Sequence, residues 1–346
     1  MAKLAKRQWV PVLLALLTAA GLGQWRGDAW EEPVRQALFR LRGDSVPSFA
    51  TDYVDAAGIP YVYYAQENGI APGYQYNATI VCNYALAYTD SLRRQPADTA
   101  LQGKLQRCVR WLQQQLAGQG DTTIFYFRWQ QAWYPQVGVP YTSGMTSGLA
   151  MQVLARADSL LGLPEAALTC RRLLRGFFVP RQQGGFSIQQ AMGWWYEELA
   201  DTSGPTPRIL DGHIFALQGL HAARHLLPAD SVATVWNNGL AALKAALPAY
   251  DAGNGRMYYD AQGKLADNKY RRTLTNQMAW LFAQTGDPFF EQYYRRWNAP
   301  LARPYVWRTV TDTNKSGLLL LALLAAGAWL CISFLARLWP KSKQAR

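Results

Sequence analysis

Nineteen consecutive residues near the C-terminus, 317–335, carry no charge. Wound as a helix, a run of that length crosses about 30 Å of hydrocarbon, and a helix is one of the few backbones that satisfies its own hydrogen bonds there. The sequence therefore predicts a transmembrane helix over 317–336. A second apolar run, from Trp9 to Gly23, follows Lys3, Lys6 and Arg7, the layout of a signal peptide or an uncleaved anchor. Ala19-Ala20-Gly21 is a weak cleavage sequence, so residues 1–23 read as an anchor. Arg337, Lys341, Lys343 and Arg346 form a basic tail over 337–346. Cations flanking both runs place both termini in the cytoplasm and the intervening chain outside it, at an inner or plasma membrane. The formal charge of +12, less those seven cations, leaves +5 for residues 24–316. That balance is compatible with an anionic substrate.

Half the chain is hydrophobic, 13% is aromatic and 17% is charged, which excludes a disordered chain and suggests an aromatic-lined globule. Residues 24–69 read as a juxtamembrane helix, amphipathic over 30–41, and a connector. The main domain is expected over 70–310. Helical periodicity predicts helices at 80–94, 101–117, 145–162, 164–175, 207–226, 229–247 and 272–285, and strand signals are confined to 61–64, 123–127 and 185–188. Helical hairpins in series predict a mostly α fold, an incomplete α/α toroid flanked by two transmembrane helices. A stacked helical solenoid shows the same pattern. Cys82, Cys108 and Cys170 leave room for one disulfide and no framework. His221 and His225 stand at i, i+4, but no Glu lies in a metalloprotease-like position between them, so they and His213 read as surface or supporting residues rather than metal ligands.

Residues 193–220 combine two Trp, a Tyr and the adjacent carboxylates Glu197 and Glu198 with a polar turn and an apolar helix-like run. Sugar rings pack C–H faces on aromatic side chains and present hydroxyls to charged groups, so the combination suits a carbohydrate cleft. On local composition alone, a helix end with core Trp and solvated Glu is the better reading. Phe125, Tyr126, Phe127, Trp129, Trp133, Tyr134 and Tyr141 crowd the connector ahead of a small-residue segment, 142–148, more aromatics than interhelix packing needs. No phosphate loop, dinucleotide fingerprint or nucleic-acid motif is present.

Six stretches in order resemble the C-terminal catalytic region of the D-glucuronyl C5-epimerase family, enzymes acting on heparan-type polysaccharides. They are GYQYNATIVCNYALAY from Gly73, SGMTSGLAMQVLARA from Ser143 with the aromatic segment before it, WYEE from Trp195, ILDGHIFALQGL from Ile209, LPAYDAGNGRMYYD from Leu247 and KYRRTLTNQMAWL from Lys269. The resemblance covers roughly residues 70–300. It implies a uronic-acid C5-epimerase with catalytic residues at Glu198, Tyr258 and Tyr270. Substrate-binding positions are expected at Tyr74, Tyr76, Trp129, Trp195, Tyr196, Glu197, Arg208, Arg271 and Asn276. No cofactor and no metal are implied. The partners expected are an acidic polysaccharide and the membrane, with a homodimer or polysaccharide-synthesis machinery also compatible. This chain has Leu199 where the family commonly has a further functional tyrosine, a shorter segment between Tyr258 and Tyr270, and none of the β-rich N-terminal domains of the animal enzymes.

Inverting C5 of a uronic acid removes a proton α to a carboxylate and returns one from the opposite ring face. The chemistry needs two proton-transfer groups and a means of stabilising enolate-like charge. Tyrosine, with a reference pKa of about 10, serves as a base only with cations or hydrogen bonds beside it. Arg271 and Arg272 follow Tyr270, and Arg208 and Arg256 lie near the other motifs. The same first step opens β-elimination by a polysaccharide lyase, and a cleft that has lost catalysis would be a glycan-binding or assembly protein.

Overall fold

The computed structural model describes residues 2–41, 53–116, 118, 121–312 and 314–338; the end of the basic tail and the connector around 42–52 lie outside them. In chain order the elements are α1 (Ala2–Leu41), β1 (Tyr53–Val54), β2 (Pro60–Tyr64), β3 (Gly73–Gln75), α2 (Ala78–Arg94), α3 (Thr99–Gln115), β4 (Tyr126–Phe127), β5 (Tyr141–Thr142), α4 (Gly144–Leu161) and α5 (Ala166–Gly176). They continue with β6 (Ser187–Gln190), β7 (Gly193–Tyr196), α6 (Leu210–Ala223), α7 (Ala229–Tyr250), β8 (Asp251–Gly253), β9 (Arg256–Met257), α8 (Asn268–Thr285), α9 (Pro288–Leu301), α10 (Tyr305–Thr311) and α11 (Lys315–Leu338). The chain is mostly helical and divides into two compact units, Met1–Val46 with Asn298–Arg346, and Pro47–Trp297.

In the first unit, α1 is one continuous helix where the sequence suggests an anchor and a separate juxtamembrane helix. Among the described residues, Lys315–Ala336 is the helix long and apolar enough to cross a membrane. The N-terminal apolar run is too short to meet the same measure by itself. Ala15, Ala19, Gly23 and Gly27 are buried at a spacing of four, while Trp9, Leu13, Leu14, Leu16 and Leu17 point outward. A side chain on Gly23 would run into Leu321, and one on Gly27 into the Tyr305 ring, so the small residues let helices approach closely. Beyond this seam lies a polar clamp. Glu31 accepts from Asn314 Nδ2 at 2.7 Å, Tyr305 Oη at 3.1 Å and Ser316 Oγ at 3.2 Å. Gln24 Oε1 caps α10 through Tyr305 N at 2.6 Å, and Asp28 pairs with Arg308 at 3.0 Å.

The second unit is built on helix pairs, α2 with α3 and α4, and α6 with α4, α7 and α8. The starts of α2, α3, α4 and α8 are set by side-chain caps of the kind that satisfy a helix's first N–H groups. Asn77, Asp98, Ser143 and Asp267 accept from the backbone two or three residues on. The helix expected from 207 begins at Leu210 instead, because Pro205 and Pro207 precede it and Arg208 has φ of +49°, a left-handed value that no helix accommodates. The helix expected from 272 begins earlier, at Asn268, because Asp267 caps it. Gly193–Tyr196 is a strand paired antiparallel with β6, Ile188 opposite Trp195, so Glu197 and Glu198 leave a hairpin rather than a helix end. Cys82, Cys108 and Cys170 are buried free thiols.

The closest approach in the core is between α4 and α6. A Cβ on Gly148 would lie 2.6 Å from Ala216 Cα, and one on Gly219 would overlap the Gly148 backbone. At an exposed helical position Gly→Ala gains roughly 1 kcal/mol of propensity. At Gly219 the overlap reverses the sign, so Gly219→Ala should lower stability by about 1–3 kcal/mol. A urea midpoint for the full chain in micelles checks this, and a midpoint shifted upward would mean that the helices separate without cost.

Candidate active site

The site forms where the end of β7, the start of α6, the β9–α8 connector and the 126–142 loop meet. Its foundation is His213. The Tyr196 N–H donates to His213 Nδ1 at 2.9 Å, which makes Nδ1 the acceptor and leaves Nε2–H to donate to Gly239 O at 3.1 Å. Both ring nitrogens are thus engaged by backbone, and burial holds this imidazole neutral, its pKa down at about 4. His213 ties β7 to α6 and α7 and supplies no base. Its ring stacks on Trp195 at 4.1 Å, and Trp195 stacks on Tyr250 at 5.9 Å. Tyr250 then donates to Arg208 O at 2.6 Å, pinning the left-handed residue that precedes α6.

From this support the chain delivers two carboxyls in opposite directions, as successive residues of extended backbone must. Glu197 is locked through its own backbone, N to Phe186 O at 2.9 Å and O from Gly144 N at 2.7 Å. Its side chain is fully buried. Burial pushes its carboxyl up to about 7, with Thr206, Arg208 and Arg181 opposing the rise. Arg181 also clamps the following turn, bonding Asp201 O at 2.7 Å and Asp201 Oδ1 at 2.8 Å, while Asp201 Oδ2 receives Gly138 N at 2.6 Å.

Glu198 points the other way. It is half-buried, but its Oε2 is enclosed and has no hydrogen-bond partner. That oxygen rests against Gly212, where any larger residue would collide with it. Burial, then the Asp211 and Glu197 carboxyls, push Glu198 well above the usual carboxylate range. Asp211, in the first turn of α6, rises to about 7 through burial, moderated by the backbone N–H groups of Gly212 and its own residue and by Lys269. A helix N-terminus favours the anion here and so keeps Asp211 the more acidic of the two.

A wall of phenols faces this pair. Tyr134, Tyr259 and Tyr270 are each raised, first by burial and then by charges that include Glu198 and Asp211. They remain protonated donors at neutral pH. Tyr134 donates to Asp260 Oδ2 at 2.7 Å, and Tyr259 lies 4.4 Å from Tyr270, ring to ring. Burial also takes Tyr64 up to about 12, Asn77 lowering it and Glu198 adding to the rise. Tyr64 stacks on Trp129 at 4.7 Å. Two cations border the phenols: Lys264 Nζ lies 5.6 Å from the Tyr134 ring and 5.7 Å from Tyr259, and Lys269 Nζ lies 5.4 Å from Tyr270.

Of the positions expected from sequence, Glu198 and Tyr270 come together here, with Trp129 reaching the group through Tyr64. Trp195, Tyr196 and Glu197 lie beneath it as support: Tyr196 is buried and donates to Val235 O at 2.5 Å. Arg208 stands by Glu197. Tyr258 is half-buried and packs against the core beside the cluster. Arg271 is buried in α8, bonded to Asn268 Oδ1 at 3.5 Å. Asn276 is exposed, about 120° around α8 from Tyr270; the amide that reaches the site is Gln277, whose Nε2 donates to Asp211 O at 3.2 Å. Tyr74 and Tyr76 are exposed on the β1–β3 sheet. Sequence reasoning missed Asp211, Tyr259, Lys264 and Lys269, and gave Tyr134 as one ring of the aromatic connector without a role of its own. The signal for Asp211 was present, a lone acid opening the apolar run from Ile209 to Leu220.

A family model described as D-glucuronyl C5-epimerase C-terminus matches residues 119–299, a stretch that contains Tyr134, the two glutamates, Asp211, Tyr259 and Tyr270. An uncharacterized protein of Methanocaldococcus jannaschii is 30% identical over 128 residues, 36% of this chain. The match spans 41% of that relative's length.

Glu197 makes stability depend on pH. Its carboxyl is raised from 4.5 to about 7, so the folded chain holds a proton that the unfolded chain releases. This contribution is whole below pH 4.5 and is lost as pH climbs to about 7, roughly 3 kcal/mol for a fully buried group. Glu197→Gln should therefore flatten the fall in Tm between pH 5 and 8, measured on the full chain in micelles. An undiminished slope would mean that Glu197 is ionised in the fold throughout.

Proposed function

The chain belongs to the D-glucuronyl C5-epimerase family by its C-terminal domain, and from that membership we propose that it inverts C5 of glucuronic acid residues within an acidic polysaccharide. The observation that carries the reading is the enclosed Glu198–Asp211 pair facing the protonated Tyr134, Tyr259 and Tyr270. Glu198, the more open member of the pair, takes the C5 proton as it passes its own to the ionised Asp211, the C–H electrons move onto the sugar carboxylate, and a phenol returns a proton to C5 from the other face. Redox state and chain length are unchanged. Glu198 and Tyr270 carry the proton-transfer roles, with Asp211 sharing the carboxyl work and Tyr258 at the rim as the second phenol of the motif. Lys264 and Lys269 hold the substrate carboxylate and, with the phenol donors, stabilise the developing charge. Proton transfer of this kind contributes about 10²–10⁴-fold.

The domain is proposed to lie outside the cytoplasm, α1 entering the membrane alongside α11. The cations at Lys3, Lys6, Arg7 and Arg337 onward support it. Protease added to spheroplasts should digest the domain and spare a tag at Arg346. Loss of the tag from outside would reverse the orientation.

Incubation in D₂O with glucuronic-acid polymers and with native envelope polysaccharide should place deuterium at C5 without shortening the chain. The rate should rise across pH 7 as Asp211 ionises. Glu198→Gln and Tyr270→Phe should each slow exchange by about 10²–10⁴-fold while leaving the circular dichroism spectrum unchanged. Chain shortening with an unsaturated product would make the protein a lyase. Binding without either signal would make it a glycan binder.

A further inference from the structure

The β1–β2–β3 sheet has two unlike faces. Pro60 and Val62 are buried on one, and Tyr64 leaves that face toward the acid cluster. The other carries Tyr53, Tyr61, Tyr63 and Tyr74, with Tyr76 just beyond β3. Strand register sets Tyr53 opposite Tyr61 and Tyr63 opposite Tyr74, and the rings touch at 5.4 Å and 4.8 Å. Tyr76 continues the row to Trp111 at 6.0 Å. Tyr63, Tyr74 and Tyr76 are 36%, 62% and 49% exposed. A row of large open rings is an unusual thing to leave in water.

We propose that this tyrosine face is a second glycan-binding surface, which takes the part of an acidic polysaccharide chain that extends beyond the acid cluster. Phenols offer flat rings to sugar C–H faces and hydroxyls to their polar edges. A surface meant for lipid would mix aliphatic side chains and cations with its aromatics. Here the Asp55 carboxylate stands on the face, accepting from Tyr76 Oη at 2.7 Å, and offers an acceptor for sugar hydroxyls. The Arg107 guanidinium, packed on the β1–β2 turn at Gly58, supplies a cation for a uronate. Continuity with the cleft comes from strand alternation: Tyr63 and Tyr76 lie on the face, and their neighbours Tyr64 and Asn77 bond to each other at 2.6 Å on the cluster side. The face lies outside the stretch matched by the family model; of its rings the resemblance implies a substrate-binding role for Tyr74 and Tyr76 alone, and the structure adds Tyr53, Tyr61 and Tyr63 to the same row. The inference rests on the acid cluster being a glycan cleft, and not on the reaction performed there.

The test is binding to the full chain in micelles, with unsulfated heparosan and hyaluronan as long chains and as tetrasaccharides. The long chain should bind about ten-fold tighter than the tetrasaccharide, the worth of one or two stacked rings. Tyr61→Ser with Tyr63→Ser should erase that advantage and leave tetrasaccharide binding unchanged. Tyr74→Ala alone, at the most open ring, should move the same way and serves if the double variant does not fold. Equal affinity for long and short chains, an advantage kept in the variants, or no binding of either polymer would each overturn the proposal. So would a loss seen on phosphatidylglycerol vesicles and not on glycan, which would assign the face to lipid. Tetrasaccharide binding and C5 exchange without a chain-length advantage would sink the tyrosine face alone. Loss of tetrasaccharide binding and exchange together would remove the cleft as well.

Discussion

The backbone hydrogen bonds to both nitrogens of His213 are the constraint on which the site depends. An imidazole accepting at Nδ1 and donating at Nε2 is fixed in tautomer, ring plane and charge. It also gives Trp195 a flat surface to stack on. With β7 held this way, the next two residues leave the strand at a defined point, so Glu197 goes down into the support and Glu198 goes out to the chemistry. A protonated or displaced imidazole would lose one of the two bonds at a fully buried position.

Two adjacent buried acids are costly, and the fold meets that cost differently for each. Glu197 lies near Arg208 and Arg181, and its burial is offset by positive potential and by the turn those arginines help to fix. Glu198 has no such cation among its principal influences; its neighbours are acids. Of two carboxyls held together, one keeps its proton more tightly once the other has ionised, and the start of α6 decides that Asp211 ionises first and Glu198 stays protonated. Separating the proton affinities of paired carboxyls in this manner is how a site keeps an acid and a base together near neutral pH.

Much of this was legible in the sequence, and the losses have physical causes. Helix periodicity located the long helices of the domain to within a few residues, since amphipathic burial is written every three or four positions. The motif around Trp195 located Glu198. Periodicity could not reveal that this motif sits on a hairpin, because a four-residue strand offers too few alternations. Tyr258 and Tyr259 show a related limit. They are neighbours of one type, and the backbone at β9 alone settles that Tyr259 is the buried one against Tyr270. Asn276 and Gln277 differ in the same way, by which side of α8 meets Asp211. Asp211 itself looked like a helix-start acid, and its role depends on Glu198 arriving from another element.

The two units use one packing device, and in the membrane placement proposed above they use it in different solvents. In the domain, Gly148 and Gly219 bring α4 and α6 together, and the surrounding apolar surface leaves water, which drives the contact. In the first unit, Ala15, Ala19, Gly23 and Gly27 bring helices together in the same way. Lipid gives no such drive, because hydrocarbon solvates leucine as well as another helix does. There the pairing needs a polar term. Glu31 supplies it, gathering Tyr305, Asn314 and Ser316 onto one carboxylate, with Asp28 and Arg308 beside it. In that placement such a cluster is tolerable only at the edge of the hydrocarbon, where Lys315 begins the apolar helix, and there it fixes the register in which the small residues can meet.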